Sequence, residues 1–371
     1  MKVLHLRQSG NIYGPEKTLL GISRGLQELG HRSGIAMIHQ WADGRPGRHP
    51  LEALAVAQGT AYLELSSQWA ALPEILGILR RQIEEGGVDV LHTHDFKSDL
   101  VGLAATRGMR RRPGLVATPR HSEKGVVLES MQWLDRQFLD GFDRITESSE
   151  AAVEKYCANP KLTAKLRLVR HSCDAGSFGV PAALPARGDG PVLSIVGRLV
   201  EVKGHEFFFR AVARVVARIP QAQVWVVGEG PLEQKLKALC EQLGVVKHVQ
   251  FLGYRQDVDH ILRNSNVTVV ASSFETSCRV AMEALELGCP LVATPVGIIP
   301  EMVDGGEAGL LTPYGDVESM AESLVRVIEE PGLTDRMRKQ GSARSLAGGR
   351  QREAAQGFLA VYEEAIEASR R

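Results

Sequence analysis

The stretch PVLSIVGRLVEVKGHEFFFRA, residues 191–211, decides the fold. An apolar run, Val192 to Val196, stops at Gly197. A short loop follows, and from Gly204 to Ile219 the apolar residues recur at helical spacing. Strand, glycine turn and helix make the repeating unit of a parallel sheet covered by helices. The loop carries Arg198 and, five residues on, Lys203. Two cations at a strand–helix junction, beside a helix N-terminus, read as an anion site. A guanidinium can fork onto phosphate oxygens, and an ammonium acts as a point charge. Two solvated loop cations are the plainer alternative, against which the Gly-Arg…Lys-Gly frame weighs.

The same alternation extends in both directions. Downstream, strands are expected at QVWVVG (223–228), VQFLG (249–253), VTVVAS (267–272) and PLVAT (290–294), with a helical pattern at 231–244. Upstream they are expected at VLHL (3–6), GIAMI (34–38), VDVLH (88–92), LVAT (115–118) and LRLV (166–169). Helical patterns at 15–30, stopped by Gly30, and at 67–86 lie between them. GVPAALPARGDGP (179–191) is rich in Pro, Ala and Gly and reads as a linker. The pattern predicts an α/β protein with two Rossmann-like doubly wound parallel-sheet domains, residues 1–178 and 191–351, joined by 179–190. The tail 350–371 is an amphipathic helix.

Composition agrees with a globular two-domain chain: 371 residues, 44% hydrophobic and 24% charged. With 44 basic and 44 acidic side chains the formal charge is zero, which argues against a nucleic-acid partner. GMRRRPG (108–114) is the local exception. Arg110, Arg111 and Arg112 read as a solvated turn, with an anionic lipid or polymer surface as the alternative. Five cysteines without a C-x-x-C pair suit reduced thiols in a cytoplasmic protein. No apolar stretch reaches the ~18 residues of a membrane span, and MKVLHLRQSG is too short an apolar run for a signal peptide.

Further motifs follow other strands. VVGEGP (226–231) offers Gly228 and Gly230 for close backbone approach to a ligand, although a tight turn after a buried strand uses glycine in the same way. Tyr254 opens the loop of FLGYRQDVDHIL (251–262). FETSCRVAMEAL (274–285) places Glu275 before a helix and Glu283 inside its apolar run. A buried carboxylate needs a hydrogen-bond partner. Its two oxygens suit adjacent hydroxyls, such as those of a ribose. Thr276 or Ser277 is placed to cap that helix, with its free first-turn amides available to a ligand. His92 and His94 form an H-x-H on one strand, two metal ligands in principle. No third ligand stands nearby in the sequence, so lining or packing roles are expected and no metal site is assigned.

In order and spacing, GRLVEVKG (197–204), VVGEGP, FLGY (251–254), ETSCRVAME (275–283), GCPLVATPVGIIPEMV (288–303) and the line GLL–P–D ending near Asp316 resemble retaining glycosyltransferases of family 4. That family has the GT-B fold, two Rossmann-like domains facing a central cleft. GNIYGPEKTLL (10–20), HTHDF (92–96), TPRH (118–121), ESSEAAVEKY (147–156) and RHSCDAGSF (170–178) fall where the family has looser landmarks.

The resemblance implies roles. Arg198 and Lys203 would grip the diphosphate of a nucleotide-sugar. Glu283 would accept from the ribose, and Glu275 from the donor sugar. Gly197, Gly228, Gly230 and Tyr254 would line the donor. Amides around Thr276, Ser277, Cys278, Arg279 and Val280 would meet the phosphates. Gly14 would approach from the first domain, His121 would stand at the reaction centre, and a C-terminal helix, 352–371, would pack back on that domain. The implied chemistry is retaining, needs no metal or other cofactor, and serves a glycan or lipid-linked acceptor. Cys278 and Arg279 depart from the usual glycine-rich stretch, and Ile298 from a usual glycine. The competing readings are a non-catalytic nucleotide-sugar or glycan binder and a nicotinamide oxidoreductase. The latter fails because RQSGNIYGPEK lacks G-x-G-x-x-G spacing.

Overall fold

The computed structural model describes residues 1–39, 48–66, 72–119, 137–170, 181–185, 188–275, 277–303, 307–346 and 350–370. The chain divides into two compact units. Met1–Ser172 together with Arg350–Arg371 form the first, and Cys173–Gly349 the second.

The first unit holds strands β1 (Lys2–Gln8), β2 (Arg32–His39), β3 (Ala61–Ser66), β4 (Val90–Thr93), β5 (Gly114–Ala117), β6 (Arg144–Glu147) and β7 (Leu166–Leu168). They pair in the order β3-β2-β1-β4-β5-β6-β7, every ladder parallel. The second unit holds β8 (Val192–Val196), β9 (Gln223–Val227), β10 (Val249–Gly253), β11 (Val267–Val270), β12 (Leu291–Ala293) and β13 (Gly309–Leu311). Their order is β10-β9-β8-β11-β12-β13, again all parallel. Strand order therefore reverses between β1 and β4 in one sheet and between β8 and β11 in the other. In open parallel sheets ligands bind beyond the carboxyl ends of the strands at such points.

Helices cover both faces. In the second unit, helix His205–Arg218 buries Phe208, Phe209, Val212 and Val215 against the sheet. In the first, helix Gly14–Glu28 presents Ile22 and Leu26 to the sheet, and Gly30 turns the chain at φ 81°. Beside it packs helix Arg350–Ser369, with Phe358, Val361, Tyr362 and Ala365 on Val3, Val90 and Val116. A Cβ at Gly114 would lie 2.8 Å from the Ala365 carbonyl carbon, so glycine lets this helix sit directly on β5. Segment 181–185 is held to the second unit. Asp257 Oδ2 accepts from the Ala182 amide at 2.8 Å, while Arg255 donates to the Ala182 and Ala183 carbonyls.

The basic run is partly paired with acids of its own unit. Arg112 forms a bidentate pair with Asp143 at 2.6 and 2.7 Å, and Arg111 lies 3.8 Å from Asp89. The run leads directly into β5, at the amino end of the strand, opposite the end where an open sheet binds ligands. Among the described residues no helix is long and apolar enough to cross a membrane.

Candidate functional site

The loops that follow β8 and β11 meet at the switch point of the second sheet, because those strands are hydrogen-bonded neighbours. Their backbones touch. Ser273 donates to the Val202 carbonyl at 2.8 Å, and a Cβ at Gly204, whose φ is +67°, would stand 1.8 Å from the Ala271 carbonyl oxygen. This contact brings Lys203 to Glu275 across 72 residues of sequence, Nζ to Oε1 at 2.6 Å. Ser272 Oγ donates to the same carboxylate oxygen at 2.8 Å, and the Ser272 carbonyl accepts from Thr294 Oγ1 at 2.5 Å. Glu275 is thus fixed from two sides while remaining partly exposed. Arg198 is exposed at the other end of the β8 loop and makes no ion pair among the described residues.

The glycines of this region serve packing first. A Cβ at Gly228, φ +135°, would lie 2.0 Å from the Gly197 carbonyl oxygen, and one at Gly230 would lie 2.4 Å from that of Leu199. Leu199 N donates to the Glu229 carbonyl, and the Gly228 amide to that of Gly253. Gly197 leaves room for the Lys203 stem, whose Cδ is 3.5 Å from where a Cβ would be. Tyr254 follows Gly253, its amide donating to Glu229 Oε1 at 3.3 Å. The glycines read from sequence as ligand-facing therefore hold the β8, β9 and β10 loops together.

Helix Arg279–Glu286 begins after Cys278, which takes φ 33° and ψ 74°. It is the one non-glycine residue with positive φ among those described. Its thiol is buried, and burial first, then Glu275, pushes its pKa far above the ordinary thiol value. A thiol so held is no nucleophile. Ser277 is half-buried ahead of it. Val280 is half-buried and packs against the clusters that hold Cys278, Leu262 and Ala284. Glu283 is buried, and Arg279 Nε donates to its Oε1 at 2.7 Å. Glu283 Oε2 has no partner among the described residues. Thr276 and His121 lie outside the described residues.

In the first unit, Gly14 opens helix Gly14–Glu28 beyond the carboxyl end of β1. The loop before it is pinned by buried Glu16, which accepts from the Tyr13 amide at 2.7 Å and pairs with Arg7. Burial raises the Glu16 pKa, but Arg7 and these hydrogen bonds outweigh it and hold it below the usual carboxylate value. Three buried imidazoles, His5, His92 and His94, lie nearby in the sheet, with ligand nitrogens within 4.8 Å of one another. The third imidazole comes from β1, whose His5 is paired in register with His92. In the donor region, sequence reading did not single out Ser272, Thr294 or Glu229. All three flank apolar strands as ordinary polar residues, without distinctive spacing.

Two parallel sheets of this order, each covered by helices, define a GT-B glycosyltransferase architecture. Anabaena Alr3699/HepE, solved with UDP and glucose, shares it with a TM-score of 0.79 at 19% identity, over 98% of this chain and 98% of that one. Residues 13–170 match the family model "Glycosyl transferase 4-like domain", and residues 180–344 match "Glycosyl transferases group 1". The chain belongs to the GT4-type glycosyltransferases. The D-inositol 3-phosphate glycosyltransferase of Kribbella flavida is 30% identical over 317 residues, covering 76% of this chain and 73% of the relative. That of Corynebacterium jeikeium is 29% identical over 330 residues, covering 78% and 75%.

Proposed function

We propose that this glycosyltransferase moves a sugar from a nucleotide-diphosphate donor to a glycan or lipid-linked acceptor in cell-surface glycan synthesis. It retains the anomeric configuration and uses no metal. The Lys203–Glu275 pair at the switch point, with exposed Arg198 at the other end of the same loop, carries this reading. Arg198 and Lys203 take the charge that develops on the leaving diphosphate, the work a divalent cation does elsewhere. Glu275, held by Ser272, accepts from hydroxyls of the donor sugar. Glu283 Oε2 accepts from the ribose, while Arg279 satisfies Oε1 and adds a cation beside the helix N-terminus.

In the same proposal the leaving diphosphate takes the acceptor's proton on the face of attack, so no protein base is assigned. A cytoplasmic setting also belongs to it, since the four described cysteines are unpaired, as a reducing compartment keeps them.

Thermal-shift measurements with UDP-, GDP- and ADP-sugars, each with magnesium and with chelator, test the donor site. One nucleotide is expected to raise the melting temperature equally in both conditions. A shift that appears only with magnesium defeats the metal-free reading. Product NMR reads retention or inversion at the anomeric carbon. The relatives' name makes D-inositol 3-phosphate the competing acceptor, and product mass decides between it and a lipid-linked glycan. Donor binding without turnover on any acceptor would favour the binding-only relative.

A further inference from the structure

We propose that His5, His92 and His94 bind one late first-row divalent cation, zinc above all, inside the first unit. The inference is independent of the sugar-transfer reading. Strands β1 and β4 are central neighbours, and their register sets His5 beside His92. His94 follows two residues on, so side-chain alternation returns it to the face of His92. All three are buried, at 0–2% exposure. His5 Nδ1 and His94 Nε2 are 3.0 Å apart. Two imidazoles that ligate one zinc at ~2.0–2.1 Å in tetrahedral geometry stand roughly 3.4 Å apart. Replacing the shared proton by zinc therefore opens that pair by only a few tenths of an ångström.

One observation supports a ligating role, the surround of His92. Its Nδ1 lies 2.8 Å from Tyr362 Oη, and its Nε2 lies 2.7 Å from Thr118 Oγ1, itself hydrogen-bonded to Thr146. Ligation takes one of these nitrogens from its hydroxyl, and the other keeps its oxygen partner. Metal-bound histidines characteristically have this outer support. Arg7, whose Nη1 donates to the His94 carbonyl, is neutralised by Glu16. Three neutral nitrogens suit zinc, copper and nickel over magnesium or calcium. A water completes the tetrahedron.

The test uses the full-length protein after dialysis against chelator. Zinc titration is expected to show one equivalent per chain and a higher melting temperature. Cobalt(II) is expected to give the visible d–d absorption of a tetrahedral site. X-ray absorption of the zinc-loaded protein is expected to count three imidazoles. His5→Gln and His94→Gln each weaken zinc by at least the ~10–100-fold that loss of an outer partner causes. Absence of stoichiometric binding overturns the proposal, as does a count below three imidazoles. Undiminished binding in both variants overturns it too, assigning the cation to surface groups such as exposed Cys157. The absorption count needs no variant, so it decides even if the substituted chains fail to fold. Nucleotide-induced stabilisation is read in the same samples and is expected to persist without zinc.

Discussion

Glu283 is 7% exposed, and the Arg279 guanidinium one helical turn earlier holds it at 2.7 Å. A lone buried carboxylate would be costly; this one is paired through Oε1. Lys203 and Glu275 make the second acid–base pair, and under the proposed function it bears directly on turnover. Lys203→Ala and Glu275→Ala are each expected to lower kcat by ~10²–10³-fold, as loss of one preorganised charge-stabilising group does. Circular dichroism should find both variants folded, because each residue is partly exposed; parental rates in both would remove the donor-site assignment. Cys278 bears on stability instead. A left-handed non-glycine residue costs roughly 1–2 kcal/mol, and the buried sulfur returns about 1 kcal/mol. Cys278→Ala keeps the strain and loses the sulfur, so a loss of about 1 kcal/mol is expected. Cys278→Gly relieves the strain and should be at least as stable as the alanine variant; denaturant melts that place it more than ~1 kcal/mol below refute the account. The individual charges were legible in the sequence because each flanks an apolar run. Their pairing was not, because 72 residues separate Lys203 from Glu275 and only the adjacency of β8 and β11 joins them.

Strands that carry continuous apolar runs, such as VLSIV in β8 and VWVV in β9, announce themselves as elements. Strands β3 and β6 do not. AYLELS alternates polar with apolar at the sheet edge, and RITE buries a threonine and a glutamate beside one isoleucine. Tertiary context makes these strands, through pairing with neighbours already in place. Helix starts show a related dependence, since buried neutral histidines stand at two of them. His49 Nδ1 accepts from the Leu51 amide at 3.1 Å at the head of helix Leu51–Ala57. His205 is the first residue of helix His205–Arg218 and is buried beside Lys203. Burial lowers both to about 4, and the Lys203 charge adds to this at His205. The unfolded imidazole titrates near 6.5, so below that pH the unfolded chain binds more protons than the folded one. These histidines stabilise fully above pH 6.5, and that stability is lost as pH falls from 6.5 towards 4, by up to ~1.4 kcal/mol per pH unit each. Denaturant midpoints at pH 7, 5.5 and 4.5 should follow this slope, and His49→Asn should flatten it. A midpoint constant across the range contradicts the burial argument.

The whole molecule is discontinuous in sequence, since the first unit is completed by residues from the far end of the chain. Helix Arg350–Ser369 supplies it with four side chains at 0–3% exposure, Phe358, Val361, Tyr362 and Ala365. Glu364 adds ion pairs to Arg144 and Arg167, each at 2.6 Å. Burying a large apolar side chain stabilises by about 1.5–3 kcal/mol, so Phe358, Val361 and Tyr362 contribute roughly 4.5–9 kcal/mol to that unit. A domain's entire stability is about 5–15 kcal/mol. Ending the chain at Gly349 is therefore expected to abolish cooperative melting of the first unit and to expose Val3, Val90 and Val116, with increased dye binding. The second unit, Cys173–Gly349, contains Arg198, Lys203, Glu275 and Glu283 and buries its own core. The same truncated protein should keep one melting transition, and the nucleotide that stabilises the full chain should still raise it. Loss of that shift, with the second transition intact, would mean that the donor is not held by these four residues alone. Survival of both transitions would show that the C-terminal helix contributes far less than its buried area implies.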